Sequence, residues 1–173
     1  CQVLEQVHIQ PTDRVIVLGD GKLGLLVAQV IALTGCDLLA VGRHEEKLAI
    51  LADRGIPAGF GAVDLAGSAD IVVECTGSAE GFYQARQLVR HQGTLILKST
   101  YHGQVEADLS SLVVDEIQVM GSRCGPFAPA LRLLDRGWVD VVSLIQAEYP
   151  LDEAVNALEH AARRGTLKVL VRP

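Results

Sequence analysis

The feature that most constrains the fold is a glycine-rich turn between an apolar run and an apolar helical stretch. Residues 14–18 (RVIVL) are suited to a strand buried on both faces. Gly19, Gly21 and Gly24 follow as G-x-G-x-x-G, and residues 25–33 are so apolar that they predict a buried helix. A strand, these glycines and a helix in this order indicate the phosphate-binding turn of a dinucleotide-binding βαβ unit.

Each glycine has its own task in such a turn. Gly19 permits the tight turn after the strand, Gly21 lets the backbone approach a pyrophosphate, and Gly24 lets the helix pack closely on the strand. The free N–H groups around Lys22 and Leu23 would face the anion, helped by the helix macrodipole. A glycine-rich turn without a ligand is the alternative that the motif alone leaves open.

A second constraint lies about 20 residues past the glycines, where NAD-binding proteins carry an acid for the ribose 2′-hydroxyl. Here the strand predicted at 38–41 is followed by Gly42, Arg43 and His44, without an Asp or Glu. Gly42 would leave room for a 2′-phosphate and Arg43 offers a fork of donors, so the sequence favours NADP(H) over NAD(H). Cations at a helix N-terminus oppose its dipole, so an anion is expected beside them. The two glutamates that follow are an internal alternative, and ordinary solvent-facing side chains are another.

Apolar runs and helical stretches alternate along the chain, which predicts a doubly wound α/β Rossmann fold, a parallel sheet with helices on both faces. The last part differs in character, so the chain divides into a Rossmann domain, 1–138, and a C-terminal segment, 139–173. Strands are predicted at 14–18, 38–41, 70–74, 94–98, 117–120, 142–145 and 167–171, and helices at 2–7, 25–33, 45–53, 81–90, 110–114, 129–136 and 151–163.

Composition excludes several classes of partner. The net charge of −6, from 15 basic and 21 acidic residues, gives no broad basic surface for nucleic acid or anionic lipid. No apolar run reaches the roughly 20 residues of a membrane span and no signal peptide opens the chain, so we expect a cytoplasmic protein. The four cysteines are far apart without a C-x-x-C pair, which argues against a disulfide framework or a zinc site: Cys1, Cys36, Cys75 and Cys124.

Several different motifs follow one another along the chain at a spacing typical of one family. They are VIVLGDGKLG at the glycine turn, AVGRHEEKL at 40–48, DIVVECTGS at 70–78, GTLILKSTY at 93–101, VMGSRCG at 119–125, and the closing PLDEAVNALE and LKVLV. Together they resemble the medium-chain dehydrogenase/reductase superfamily, whose zinc-dependent alcohol and polyol dehydrogenases are the best-known members. The resemblance covers nearly the whole chain.

This resemblance implies a set of contacts to a nicotinamide dinucleotide. The glycine turn with Lys22 and Leu23 would hold the pyrophosphate, and Lys168 would add a basic residue to it. The other contacts would be Gly42, Arg43 and His44 at the adenosine ribose, Thr76 and Gly77 beside the adenosine, and Lys98, Ser99 and Thr100 near the nicotinamide.

The resemblance also implies that catalytic and metal-binding residues lie outside this chain. In the family a separate N-terminal GroES-like domain supplies the zinc ligands and most of the substrate pocket, and residues 139–173 would return to pack on it. The chain starts without Met and inside a predicted helix, so we expect an upstream segment. The expectation is a fragment, inactive alone, of an NAD(P)-dependent oxidoreductase for a small alcohol or carbonyl compound. The strand at 117–120 would pair across a homodimer.

Two other functions stay open at this point. A Rossmann domain that senses a dinucleotide and regulates a partner would share the fold. The cofactor half of a zinc-free quinone or enoyl reductase from the same superfamily would look much the same. Tyr101 and His102 follow a strand near the expected nicotinamide and suggest an acid–base role, although a polar loop is the favoured interpretation.

Overall fold

A computed structural model describes residues 1–61, 65–101 and 103–173 of the chain. Six strands form one parallel sheet: β1 (Arg14–Leu18), β2 (Asp37–Gly42), β3 (Ala58–Phe60), β4 (Ala69–Glu74), β5 (Val89–Leu97) and β6 (Gln118–Gly121). They lie in the order β3-β2-β1-β4-β5-β6. β1 lies at the centre of the sheet; β2 and β3 are added on one side of it and β4, β5 and β6 on the other, which is the Rossmann order. The predicted fold is confirmed.

Six helices surround this sheet: α1 (Gln2–Gln6), α2 (Lys22–Ala32), α3 (Glu45–Ala52), α4 (Ala79–Leu88), α5 (Leu109–Val114) and α6 (Phe127–Asp135). Side chains of α2 and α3 lie in the core on one face of the sheet and those of α4 in the core on the other. Because side chains alternate along a strand, Val15 and Val17 of β1 lie in the core under α2, whereas Ile16 and Leu18 lie in the core under α4. Burial on both faces explains why the strand is a continuous apolar run. Within the described residues, no helix combines the length and the apolar character that a bilayer crossing requires.

The C-terminal part forms a small unit of its own. β7 (Ile145–Pro150) and β8 (Lys168–Arg172) make a two-stranded parallel sheet, connected by a 3₁₀ turn (Leu151–Glu153) and α7 (Ala154–Ala162). Leu144 and Leu167, which precede the two strands, are buried in the same apolar cluster as the inner face of α2.

A buried glutamine also attaches this unit to the Rossmann domain. Gln29 of α2 donates from Nε2 to the carbonyl of Asp140 at 3.1 Å and accepts from the Asp140 N–H at 2.6 Å. These two hydrogen bonds satisfy the buried amide of Gln29, which without partners would lower the stability of the fold. The unit therefore packs on the sheet domain, a contact that the sequence did not predict.

The sequence missed one strand and shifted several boundaries, among them the start of β5, which lies at Val89 although the preceding helix was predicted to extend to residue 90. β3 has three residues around Gly59, too short and too little apolar to be noticed, and it is held by pairing with β2. The helix after the glycine turn starts at Lys22, not at residue 25, because it begins inside the motif. β7 starts where the predicted strand at 142–145 ends, since the strand itself alternates between half-buried and exposed residues.

Candidate functional site

The carboxyl ends of the six strands lie along one edge of the sheet, and the loops that leave it carry all but one of the predicted cofactor residues. The glycine turn follows β1, Gly42 ends β2, and the residues predicted for the adenosine and the nicotinamide follow β4 and β5. The chain reverses between β1 and β4, and open α/β sheets bind ligands in the crevice outside such a switch point. The exception is Lys168, which starts β8 in the second sheet.

Two of the three glycines in the turn are required by the fold. Gly19 has a φ of +121°, and a Cβ there would lie 2.9 Å from the carbonyl carbon of Cys75. A Cβ on Gly24 would lie 1.9 Å from the carbonyl oxygen of Gly19, which confirms the predicted close packing of helix on strand. Gly21 is different, because its φ of −73° suits any residue and no atom of the described chain lies within 4 Å of the place of a Cβ.

The start of α2 is open to the edge of the sheet. Gly21 is its N-cap and no side chain caps the helix there. The first N–H groups of a helix have no partner within it, and together with the helix dipole they attract anions. Lys22 and Leu23, in the first turn, are exposed. The turn therefore has the geometry of a phosphate cradle.

A carboxylate does lie at the end of β2, and it comes from the glycine turn. Asp20, only 8% exposed, extends across to the loop between β2 and α3. Its Oδ2 accepts the N–H groups of Arg43 and His44, the second at 2.7 Å, and Nδ1 of the His44 ring lies 3.0 Å from each carboxylate oxygen. The anion beside Arg43 and His44 is therefore the Asp20 carboxylate, at a motif position to which the sequence assigned no role.

The position of Asp20 gives Gly42 a role within the fold. A Cβ on Gly42 would lie 2.5 Å from both Cβ and Oδ2 of Asp20, so the absent side chain makes room for that carboxylate. The ring of His44 is likewise occupied by Asp20. Arg43 is exposed, and no ion pair of its guanidinium is present among the residues that the structure describes.

Asp20 stays ionised at neutral pH. Burial alone would raise its pKa, but the hydrogen bonds from the His44 ring and from the N–H groups of Arg43 and His44 outweigh burial and hold the pKa below the ordinary value. The loop at the end of β2 therefore contains one buried negative charge beside the exposed positive charge of Arg43.

A second carboxylate, also missed from sequence, connects the loops after β4 and β5. Glu74 is fully buried, and its Oε1 accepts the N–H of Thr76 at 2.5 Å and the Thr76 hydroxyl at 2.6 Å. Its Oε2 accepts the Tyr101 hydroxyl at 2.5 Å. The Gly77 N–H donates to Ser99 Oγ at 2.8 Å, so a residue predicted for the adenosine contacts one predicted for the nicotinamide.

The Tyr101 hydroxyl serves this structural role. Burial, the hydrogen bond to Glu74 and the Glu74 charge all raise its pKa, so the hydroxyl stays protonated and donates to the carboxylate. This favours the polar-loop interpretation of Tyr101 over an acid–base role. His102, the other residue of that suggestion, lies outside the described residues.

Lys98 lies at the end of β5, but its ammonium faces the next strand. Nζ donates to the carbonyl of Arg123 at 2.7 Å and to Ser122 Oγ at 3.3 Å, and burial lowers its pKa. Thr100 is exposed. Lys168 starts β8 opposite Ile145 in the second sheet, and no hydrogen bond or ion pair joins it to the glycine turn within the described ranges.

An apolar groove of about 340 Å³ lies between α1, α2 and α6, beside the glycine turn. Leu23, Val27, Phe127 and Leu134 line it, and Lys98 lies at its polar side. The described part of the chain contains no cluster of three or more His, Cys, Asp or Glu that could hold a metal ion.

The fold and this edge define a class of protein, the Rossmann cofactor-binding domain of medium-chain dehydrogenases/reductases. Residues 23–136 match the family of zinc-binding dehydrogenases. The match covers more than half of the chain, so the chain belongs to this family.

Individual relatives agree with this assignment. Sorbitol dehydrogenase of Halalkalibacterium halodurans is 27% identical over 188 residues, which cover 98% of this chain and 54% of the relative. D-arabinitol dehydrogenase 1 of Uromyces fabae is 25% identical over 190 residues, 98% of this chain and 54% of the relative. A "putative zinc-binding dehydrogenase" from Sinorhizobium meliloti 1021, crystallised bound to NADP, is 27% identical with a TM-score of 0.85, covering 98% of this chain and 55% of its own. The chain spans about half the length of the curated relatives it matches.

Proposed function

We propose that the chain is the cofactor-binding part of an alcohol or polyol dehydrogenase and that it binds NADP(H) in preference to NAD(H). Family membership supports the oxidoreductase class. The main support for a cofactor site at the glycine turn is the glycine at position 21, because neither its φ nor any neighbouring atom of the described chain requires a glycine there. A pyrophosphate lying against the first N–H groups of α2 would require one, since a side chain would stand between backbone and ligand.

The other residues of the edge would orient the dinucleotide. Thr76 and Gly77 would lie beside the adenosine, and Ser99 and Thr100 near the nicotinamide, in loops that Glu74 and the Gly77–Ser99 hydrogen bond hold together. The bound nicotinamide supplies hydride transfer, while the protein contributes binding and orientation.

The preference for NADP(H) is supported by Arg43. Its exposed guanidinium is planar and offers paired donors that match the oxygens of a phosphate. His44 is engaged by Asp20, so Arg43 is the residue at this loop that remains for a 2′-phosphate. The NADP bound by the Sinorhizobium meliloti relative supports the same assignment.

Equilibrium titration of this chain with NADPH and NADH tests the proposal. We expect tighter binding of NADPH, and Arg43→Ala should weaken it by roughly 10- to 100-fold, the loss of a charge-assisted hydrogen bond, with little change for NADH. Arg164→Ala, at an exposed arginine after α7, is the control and should change neither affinity. Tighter binding of NADH, or an Arg43→Ala variant with unchanged NADPH affinity, would contradict the assignment.

We further propose that a separate domain of the whole protein supplies a catalytic zinc and the pocket for a small alcohol or carbonyl substrate, with the zinc acting as a Lewis acid on the substrate oxygen. On this proposal the chain alone is inactive. Incubated with NADP⁺, zinc and a panel of alcohols and polyols, it should form no NADPH. Zinc-dependent turnover by the chain alone would overturn this division of roles.

A further inference from the structure

We infer that Asp20 is a specificity-determining residue of the dinucleotide site, which opposes the 2′-phosphate that Arg43 attracts and so limits the preference for NADP(H). The inference rests on the proposed function, because it concerns the adenosine end of the same site. Asp20 lies between two glycines of the turn, and its carboxylate extends across to the end of β2.

The fold is built to accept this carboxylate. Asp20 is 8% exposed and lies directly against Gly42, where a Cβ would be 2.5 Å from its Cβ and Oδ2. Close approach of Asp20 therefore explains the glycine at the end of β2. The acid that NAD-binding Rossmann domains carry at the end of this strand is absent from residues 42–44; the carboxylate that lies at this loop comes from Asp20, and its acceptors are engaged by Arg43 and His44 and not directed at a ribose.

The donors that a phosphate would use at this loop are already engaged. The N–H groups of Arg43 and His44 lie just before α3, where successive backbone donors can bind an anion, and Oδ2 of Asp20 accepts both. Nδ1 of His44 lies 3.0 Å from each oxygen of the same carboxylate. A 2′-phosphate at this loop would therefore depend on the Arg43 side chain.

The charge of Asp20 acts differently on the two dinucleotides. The hydrogen bonds that hold the pKa of Asp20 below its ordinary value keep the carboxylate negative at neutral pH. A 2′-phosphate brings further negative charge to the same loop and is repelled. A 2′-hydroxyl is neutral, so it escapes this repulsion. Removing the charge of Asp20 should thus favour NADPH and leave NADH nearly unchanged.

Asp20→Asn tests this directly, because the amide keeps the shape and one oxygen acceptor but removes the charge. We expect the Kd for NADPH to fall by about three- to tenfold, equivalent to roughly 0.7–1.4 kcal/mol, and the Kd for NADH to change by less than about twofold. Asp53→Asn is the matched control, since it removes one negative charge from the exposed C-terminal end of α3. It should leave the ratio of the two affinities unchanged.

A second variant covers the case in which the asparagine chain fails to fold. Asp20→Ser keeps a neutral hydroxyl acceptor, and circular dichroism checks that it folds; its NADPH affinity should rise relative to NADH in the same direction. An unchanged ratio, or equal weakening of both dinucleotides, would overturn the inference and leave Asp20 a structural support of the loop. Failure of the proposed function looks different: a wild-type chain that binds neither dinucleotide overturns both, whereas a wild-type preference for NADPH that Arg43→Ala abolishes leaves the proposed function standing.

Discussion

The three glycines of the turn have different physical reasons for being glycine. Gly19 needs a positive φ, and Gly24 needs the absence of a Cβ so that α2 can touch the backbone of the turn. Both requirements belong to the folded chain itself. No atom of the described residues lies within 4 Å of a Cβ on Gly21, so on the proposed function its requirement comes from the ligand.

Alanine at Gly21 and at Gly24 should therefore separate binding from stability. Gly24→Ala forces a Cβ to within 1.9 Å of a carbonyl oxygen, and we expect it to lower the free energy of unfolding by about 1–3 kcal/mol or more. Gly21→Ala should fold at least as stably, because its φ is compatible with alanine and the unfolded chain loses entropy. We expect it to weaken NADPH binding by about tenfold or more.

Thermal unfolding and titration of the same two variants provide the measurement. Each variant is the other's control, since both add one methyl group to the same turn. Unchanged NADPH affinity in a folded Gly21→Ala chain would show that the turn does not approach the ligand at this position.

The two buried carboxylates show which residues of the site escape sequence reasoning. The glycines of the turn follow a spacing that the neighbouring strand and helix make recognisable, so the sequence predicts them. Asp20 binds a loop 23 residues away, and Glu74 accepts from Tyr101, 27 residues further on, so both depend on how the strands are ordered. The available signal was an acid between two glycines of the turn and another at the end of the apolar run DIVVE.

At the scale of elements, the central strands were predictable because both of their faces are buried, which makes them continuous apolar runs. β3 and β7 lack this property: β3 is a three-residue edge strand, and β7 is half-buried with alternating exposure. Their positions are set by pairing with β2 and β8, which local sequence does not report.

The other edge of the sheet leads to a prediction about assembly. β6 pairs with β5, and within the described residues its other side has no strand beside it. Val119 on this strand is 43% exposed. An unpaired apolar edge promotes pairing with a second chain, and we propose that two copies meet here about a two-fold axis.

Light scattering at micromolar concentration should then report a dimer. Val119→Lys places like charges at the shared edge and should yield a monomer, because such charges discourage edge pairing. Val155→Lys, the same change at an exposed valine of α7, is the control and should leave the dimer intact. A wild-type monomer would contradict the proposal.

At the scale of the whole molecule, many of the exposed apolar side chains lie on α5, α6 and α7. Phe127 is 77% exposed, Leu158 71% and Val155 69%. Together with the groove between α1, α2 and α6, these faces exceed the scattered exposure of single apolar residues that is normal for a surface. They support the proposal that this domain packs against a separate domain of the whole protein.

Hydrogen–deuterium exchange with and without NADPH tests whether a dinucleotide binds along the carboxyl edge of the sheet. We expect slower exchange of backbone amides in the glycine turn, in the loop after β2 and in the loops after β4 and β5. α7 and β8 should be unaffected. Exchange that is unchanged in the glycine turn, or slowed only along the groove beside α6, would contradict it.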